Sequence, residues 1–129
     1  MKNILKVLIF SLVSISFAQQ QIDSIQFNRL KKKSESFLRS LILSQPNTMS
    51  DTLLLNQDVK KLKRLTGISH ATYSIEGNKV VFTIEENHTL IPAVNIWSVD
   101  DIFSYKLGIY DYNLFGRNIT FGGFYQYNG

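Results

Sequence analysis

Leu107-Gly108-Ile109-Tyr110-Asp111-Tyr112-Asn113-Leu114-Phe115-Gly116-Arg117-Asn118 is the stretch whose reading decides the fold. It links two alternating runs through a segment rich in Asn and Gly. From Ile102 to Tyr112, Phe103, Tyr105, Leu107 and Ile109 fall on one face, with Ser104, Lys106, Gly108 and Tyr110 on the other. That period of two is the signature of a strand. Asn113 to Asn118 reads as a turn, because Asn and Gly tolerate the backbone angles that turns require. The run from Ile119 to Tyr127 alternates again. Ile119, Phe121, Tyr125 and Tyr127 share one face; Thr120, Gly122 and Gln126 share the other, where Phe124 breaks the polarity. Upstream, Leu90 to Trp97 is a further extended run, with Pro92 near its start, where a missing N–H is tolerated. Ser98 to Asp101 reads as the turn between them.

Transmembrane barrel strands run about ten residues, apolar on one face, polar or small on the other, with aromatics toward the ends. These segments fit that description. The competing reading is a soluble β-hairpin; strand length, aromatic density and an export signal favour the barrel. Lipid leaves no water for unpaired backbone groups, so a barrel must close. The smallest have about eight strands. At most three are expected here, so the chain reads as a fragment of a longer protein or as strands that pair with something else.

At the other end of the chain, Lys2 and Lys6 precede an apolar run from Val7 to Phe17, and Ser16-Phe17-Ala18 places small residues around a cleavage point before Gln19. This is the pattern of a secretory signal peptide over 1–18. The run is too short for a membrane anchor, which needs about 20 apolar residues. The chain has 129 residues, a formal net charge of +4 and no cysteine. Cleavage would remove two of the basic residues, so the basic balance is a weak argument for nucleic acid, and no nucleic-acid partner is expected. Without cysteine there is neither a disulfide nor a lipidated thiol.

Between the two ends, a small α+β unit is expected over 19–88, in the order strand, helix, helix, strand, strand. Gln21 to Asn28 is a strand candidate with Asp23, Ile25 and Phe27 on one face. Lys31-Lys32-Lys33 reads as a solvated loop rather than a lipid or nucleic-acid patch. Ser34 can cap a helix running to about Ser44, with Phe37, Leu38, Leu41 and Ile42 on its apolar face and Pro46-Asn47 stopping it. Asn56 looks like the cap of a second helix, lined by Leu55, Val59, Leu62 and Leu65. Lys60, Lys61, Lys63 and Arg64 cover its outer side, and Gly67 ends it in the positive-φ position. His70 to Ile75 and Val80 to Glu86 form a hairpin across Glu76 to Lys79. Both helices would pack on one face of a three-stranded sheet.

These residues resemble the outer-membrane assembly and secretion family (Omp85, with its BamA-type insertases and two-partner secretion transporters). Ile25-Gln26-Phe27, Phe37-Leu38-Arg39, Asp58-Val59-Lys60-Lys61-Leu62, Leu65-Thr66-Gly67-Ile68 and Val80-Val81-Phe82-Thr83-Ile84-Glu85-Glu86 are similar to the order and residues of a POTRA domain. Leu90-Ile91-Pro92 follows as in the family's junction into the barrel. The stretch quoted first resembles the family's G-x-x-D-x-N-L-F-G-x-G hairpin, carried here by Gly108, Asp111, Asn113, Leu114, Phe115 and Gly116. Asn118 stands where that pattern often has glycine, a departure that an αL-tolerant Asn absorbs.

The resemblance implies an α+β fold: a β-α-α-β-β POTRA-like domain in the periplasm, then over 89–129 the first two or three antiparallel strands of an incomplete outer-membrane β-barrel. It implies the N-terminal part of an outer-membrane protein assembly or translocation barrel. Unfolded outer-membrane or secreted polypeptides would add as strands to a free sheet edge, either Gln21 to Asn28 or His70 to Ile75. Outer-membrane lipid and a further barrel segment encoded downstream would be its other partners. The alternative is a stand-alone periplasmic POTRA-like binding module without a barrel; barrel-like strands in the reading frame beyond Gly129 would decide against it. An enzyme is not expected. His70 and His88 lack a second ligand at metal spacing, and there is no phosphate-binding glycine loop. Glu85-Glu86 and Asp100-Asp101 are adjacent pairs that a strand points to opposite faces. No cofactor is implied. Asn87-His88-Thr89 and Asn118-Ile119-Thr120 fit a glycosylation pattern that presumes a eukaryotic secretory route.

Overall fold

The structure is a computed structural model that describes residues 20–129; the expected signal segment lies outside the described residues. In chain order the elements are β1 (Gln21–Ile22), β2 (Ser24–Asn28), α1 (Glu35–Leu41), β3 (Thr48–Met49), α2 (Thr52–Lys63), β4 (Ile68–Glu76), β5 (Lys79–Glu86), β6 (Leu90–Val99), β7 (Ile102–Leu114) and β8 (Ile119–Tyr127). They form a two-stranded pair β1-β3, a sheet in the order β2-β5-β4, and a second sheet in the order β6-β7-β8.

In the first sheet β2 runs parallel to β5 and β4 runs antiparallel to it. The parallel pairing follows from connectivity: the two helices return the chain to the end where β2 finishes, β4 runs back along the sheet, and the β4–β5 hairpin reverses it again. β5 is central and buries Val80, Phe82 and Ile84 on the helix face, against Ile25, Phe27, Leu38, Leu55 and Leu62. Phe27 and Phe82 stack with ring centroids 5.5 Å apart. Each large apolar side chain removed from water there contributes about 1.5–3 kcal/mol, an upper figure for real unfolded chains. The β4–β5 connection is the two-residue loop Gly77-Asn78, with Gly77 at φ +60°, the glycine-first geometry that matches strand twist.

Four local expectations over residues 20–88 need correction. The first strand breaks at Asp23, which is exposed rather than on the face of Ile25 and Phe27. Its N–H donates to the Asn78 carbonyl at 2.7 Å and its carboxylate accepts from the Asn78 amide at 3.0 Å, so the β4–β5 turn kinks the strand and β1 pairs with β3 instead. α1 starts at Ser34 as expected but stops at Leu41, before Ser44. The Asp58 carboxylate takes the Leu43 N–H at 2.7 Å, the Ser44 N–H at 2.9 Å and the Ser44 hydroxyl at 2.6 Å, competing with further helix. α2 starts at Thr52, not at Asn56, because the Asp51 carboxylate accepts from the Leu53 N–H at 2.8 Å and caps it earlier. Lys33 is buried, so the lysine triplet is not a wholly solvated loop.

The second sheet keeps the expected alternation. β6 pairs with β7 through Val99↔Ile102, so Ser98 and Val99 belong to the strand rather than to the expected turn, and Asp100-Asp101 is left as a two-residue loop with φ of +49° and +63°. Val94, Ile96, Tyr105, Leu107, Tyr125 and Tyr127 share one face through the registers Val94↔Leu107, Ile96↔Tyr105, Leu107↔Tyr125 and Tyr105↔Tyr127. Most of that face is exposed. On the opposite face Phe124 is not alone in a polar row: the Lys106 ammonium lies over its ring, 3.6 Å from the centroid. Gly122 is required beside it, because a Cβ would overlap the ring of its cross-strand partner Tyr110 and come within 2.6 Å of the Ile109 carbonyl oxygen. Among the described residues the outer edges of β6 and β8 are unpaired. Aspartate tolerates αL backbone less well than glycine. Asp101→Gly is therefore expected to raise stability by about 0.5–1 kcal/mol, read as a higher urea midpoint in detergent; an unchanged or lower midpoint would contradict the turn geometry.

Candidate functional site

The two sheets meet at a polar junction built from three short segments. The first is the loop after β2. The N–H groups of Lys31, Lys32 and Lys33 all point at the Glu86 carboxylate at the end of β5, at 3.0, 2.8 and 3.0 Å. Three converging backbone donors form an anion-holding nest, here filled by the protein's own side chain. The second is the linker after β5. Asn87 donates its N–H to the Gly67 carbonyl at 2.8 Å, and the Thr89 carbonyl accepts from the Tyr112 N–H at 3.0 Å. Both ends of the linker are thus tied down.

The third segment is the end of β7 and its turn. Asp111 accepts from the Thr89 hydroxyl at 2.8 Å and from the Asn113 N–H at 2.9 Å. The β7–β8 register slips between Asp111 and Leu114. That bulge turns the Asn113 side chain inward, where it is 2% exposed. Its amide oxygen accepts from the Asn118 N–H at 3.2 Å and from the Lys33 ammonium at 2.8 Å. Lys33, 4% exposed, also donates to the Asn118 side chain. Gly116 is buried at φ +71°, and its carbonyl accepts the Ser34 N–H at 3.2 Å. Asn118 takes φ +60°, the αL conformation expected of it.

Of the six motif residues, Asp111, Asn113 and Gly116 meet at this junction. Leu114, half-buried, ends β7 beside them. Gly108 lies further along β7, where a Cβ would crowd the Tyr110 ring at 3.1 Å and the Gly123 carbonyl at 3.3 Å. Phe115 is 78% exposed at φ +56° and touches none of the network. Sequence reasoning missed Lys33, Glu86 and Thr89. None of the three carried a local signal, because each meets its partner from more than twenty residues away. Among the described residues no group of three or more His, Asp or Glu gathers as a metal site.

Burial lowers the Lys33 ammonium below the ordinary lysine value of 10.5, partly offset by the nearby Glu86 carboxylate, which raises it. The unfolded chain therefore binds the proton more tightly than the folded one. Stability rises with pH between the folded value and 10.5, and levels off above it. Lys33→Met leaves the buried Asn113 oxygen and the half-buried Asn118 oxygen without this donor and is expected to lower stability by about 1–3 kcal/mol at neutral pH. The gap from wild type should widen toward alkaline pH, measured by urea unfolding in detergent. A constant gap would show that the ammonium titrates as if exposed.

No protein-family model matches the sequence, and no curated protein does. Solved structures do. The crystal structure of BamA from Haemophilus ducreyi lacking POTRA domains 1–3 is similar at a TM-score of 0.66 and 18% identity, over 84% of this chain and 22% of that chain. CdiB from Acinetobacter baumannii aligns at a TM-score of 0.45 and 15% identity, over 84% of this chain and 23% of that one. The chain spans about a fifth of the length of either. The BamA alignment covers more of this chain than either sheet with its helices supplies alone, so the likeness in fold extends across the junction.

Proposed function

We propose, from this BamA-like, Omp85-type fold, that the chain is the N-terminal part of an outer-membrane barrel that assembles or translocates polypeptides. Residues 20–88 are its POTRA-like module in the periplasm, and β6, β7 and β8 are its first barrel strands. The observation that carries this reading is the continuity of the fold likeness through the junction. The exposed apolar face of Val94, Ile96, Leu107 and Tyr125 supports it, since a row of that kind on a sheet suits lipid rather than water.

Client polypeptides pair with a free edge of the first sheet. The strand order leaves two edges, β2 and β4. β2 spans only Ser24–Asn28, and the Arg39 guanidinium already occupies the Ile25 carbonyl at 2.6 Å. β4 spans Ile68–Glu76 and offers the longer row of backbone groups. The β4 edge is therefore the better template for an added strand. A photo-crosslinking residue at Thr72 is expected to trap an unfolded outer-membrane polypeptide, and one at Gln26 to trap far less. Capture from Gln26 alone, or from neither position, would overturn the β4 assignment.

A further inference from the structure

The β7–β8 turn carries a surface that the junction does not use. Lys31, Lys32 and Arg117 are exposed around it. The backbone brings their positions near one another, because the Lys32 carbonyl packs on Gly116 and the Ser34 N–H bonds the Gly116 carbonyl; the Lys31 side chain lines a groove with Glu85 and Glu86, and that of Arg117 lies along Ser36 and Phe37. The acidic groups nearby are already engaged: Glu86 by the N–H groups of the loop, Glu85 by Arg29, and Asp111 by Thr89 and Asn113. Among the described residues, none of the three cations forms a salt bridge. Phe115, next to Gly116 in the same turn, stands 78% exposed at φ +56°. The opposite tip of the sheet, by contrast, carries Asp100 and Asp101. The two ends of the strands thus differ in charge sign.

We propose that this turn is a docking surface for anionic phospholipid, in which Lys31, Lys32 and Arg117 engage headgroup phosphates and Phe115 enters the boundary between headgroups and acyl chains. The inference rests on reading β6 to β8 as barrel strands and deepens it. That reading places the turn at the periplasmic leaflet; apolar strands alone need no anionic headgroup. Cations beside a membrane surface attract acidic lipid, and an aromatic ring is suited to the interface. The surface therefore selects lipid by charge and fixes the depth at which the strands enter.

The test is co-flotation of the full chain with vesicles of phosphatidylcholine alone, or with about one third phosphatidylglycerol, at low salt. Phosphatidylglycerol is expected to raise partitioning on the order of a hundredfold, and salt to reduce the gain. The triple variant Lys31→Ser, Lys32→Ser, Arg117→Ser should lose the gain yet bind phosphatidylcholine as wild type does. Equal partitioning of wild type into both vesicles, or a triple variant that keeps the preference, overturns the proposal while leaving the barrel reading intact. A wild-type chain that floats with neither vesicle sinks the barrel reading and this inference with it. Insertion is read separately with Phe115→Trp in a Trp97→Phe background. A blue shift of emission on phosphatidylglycerol vesicles is expected, and unshifted emission overturns the role given to Phe115.

Discussion

Gly116→Ala is expected to detach the β7–β8 turn from the α+β unit. The φ of +71° alone costs an alanine about 1–2 kcal/mol. The greater effect is steric. A Cβ at this position overlaps the Lys32 carbonyl oxygen and lies 2.6 Å from the Ser34 nitrogen. Both are backbone atoms in a loop held by the Glu86 carboxylate, so they have little room to yield. The turn must move instead, breaking the Ser34–Gly116 bond and admitting water to Lys33 and Asn113. The loss of coupling is about 3 kcal/mol or more, combining strain with unsatisfied buried groups. Hydrogen exchange should show faster exchange at the Ser34 and Asn118 amides with no change at Val80, Phe82 and Ile84. Gly77→Ala is the control: its φ is +60°, but a Cβ there meets nothing within 4 Å, so only the conformational cost applies. Unchanged exchange at Ser34 and Asn118 would falsify the junction. Gly116→Ala and Lys33→Met act on one network and should be strongly non-additive.

Asp58→Ala is expected to be the most damaging change within the α+β unit, at about 3–5 kcal/mol. Asp58 is fully buried on α2 and accepts three hydrogen bonds from Leu43 and Ser44. Alanine leaves those three donors without their acceptor. Single small domains hold only about 5–15 kcal/mol in total, so the unit should unfold at much lower urea concentration. Asp58→Asn keeps one acceptor oxygen but turns an N–H₂ toward donors, and should fall between wild type and alanine. A loss below about 1 kcal/mol for the alanine variant would mean that the segment after α1 is held by something other than this carboxylate.

Much of this architecture was legible because it depends on local periodicity. The alternation over Ile102 to Tyr127 required two strands with a turn between them, and β7 and β8 follow it with their apolar faces as read. Asn118 was expected to tolerate a glycine-like backbone, and it adopts φ +60°. Ser34 was legible as a cap because its hydroxyl serves the Phe37 N–H of its own helix, at 3.4 Å. Misreadings arose where a distant partner outweighed local preference. Asp58 ends α1 from fourteen residues away, measured to Ser44. Asn78 breaks the first strand at Asp23. For α2 a nearer cap was overlooked, since Asp51 precedes Asn56 and has the same capping chemistry.

The hairpin around Asn113-Leu114-Phe115-Gly116 illustrates the division. Its residues alone determined that the chain turns there, that glycine was needed, and that an alternating strand lies on either side. Those properties belong to backbone torsions and side-chain period, which act over a few residues. Only the tertiary structure decided that the turn rests on the lysine loop, that Lys33 is drawn out of water to reach Asn113 and Asn118, and that Phe115 is left outside. Those outcomes depend on groups 80 and 85 residues apart meeting at hydrogen-bond distance, and no local pattern records which distant donor a buried acceptor finds.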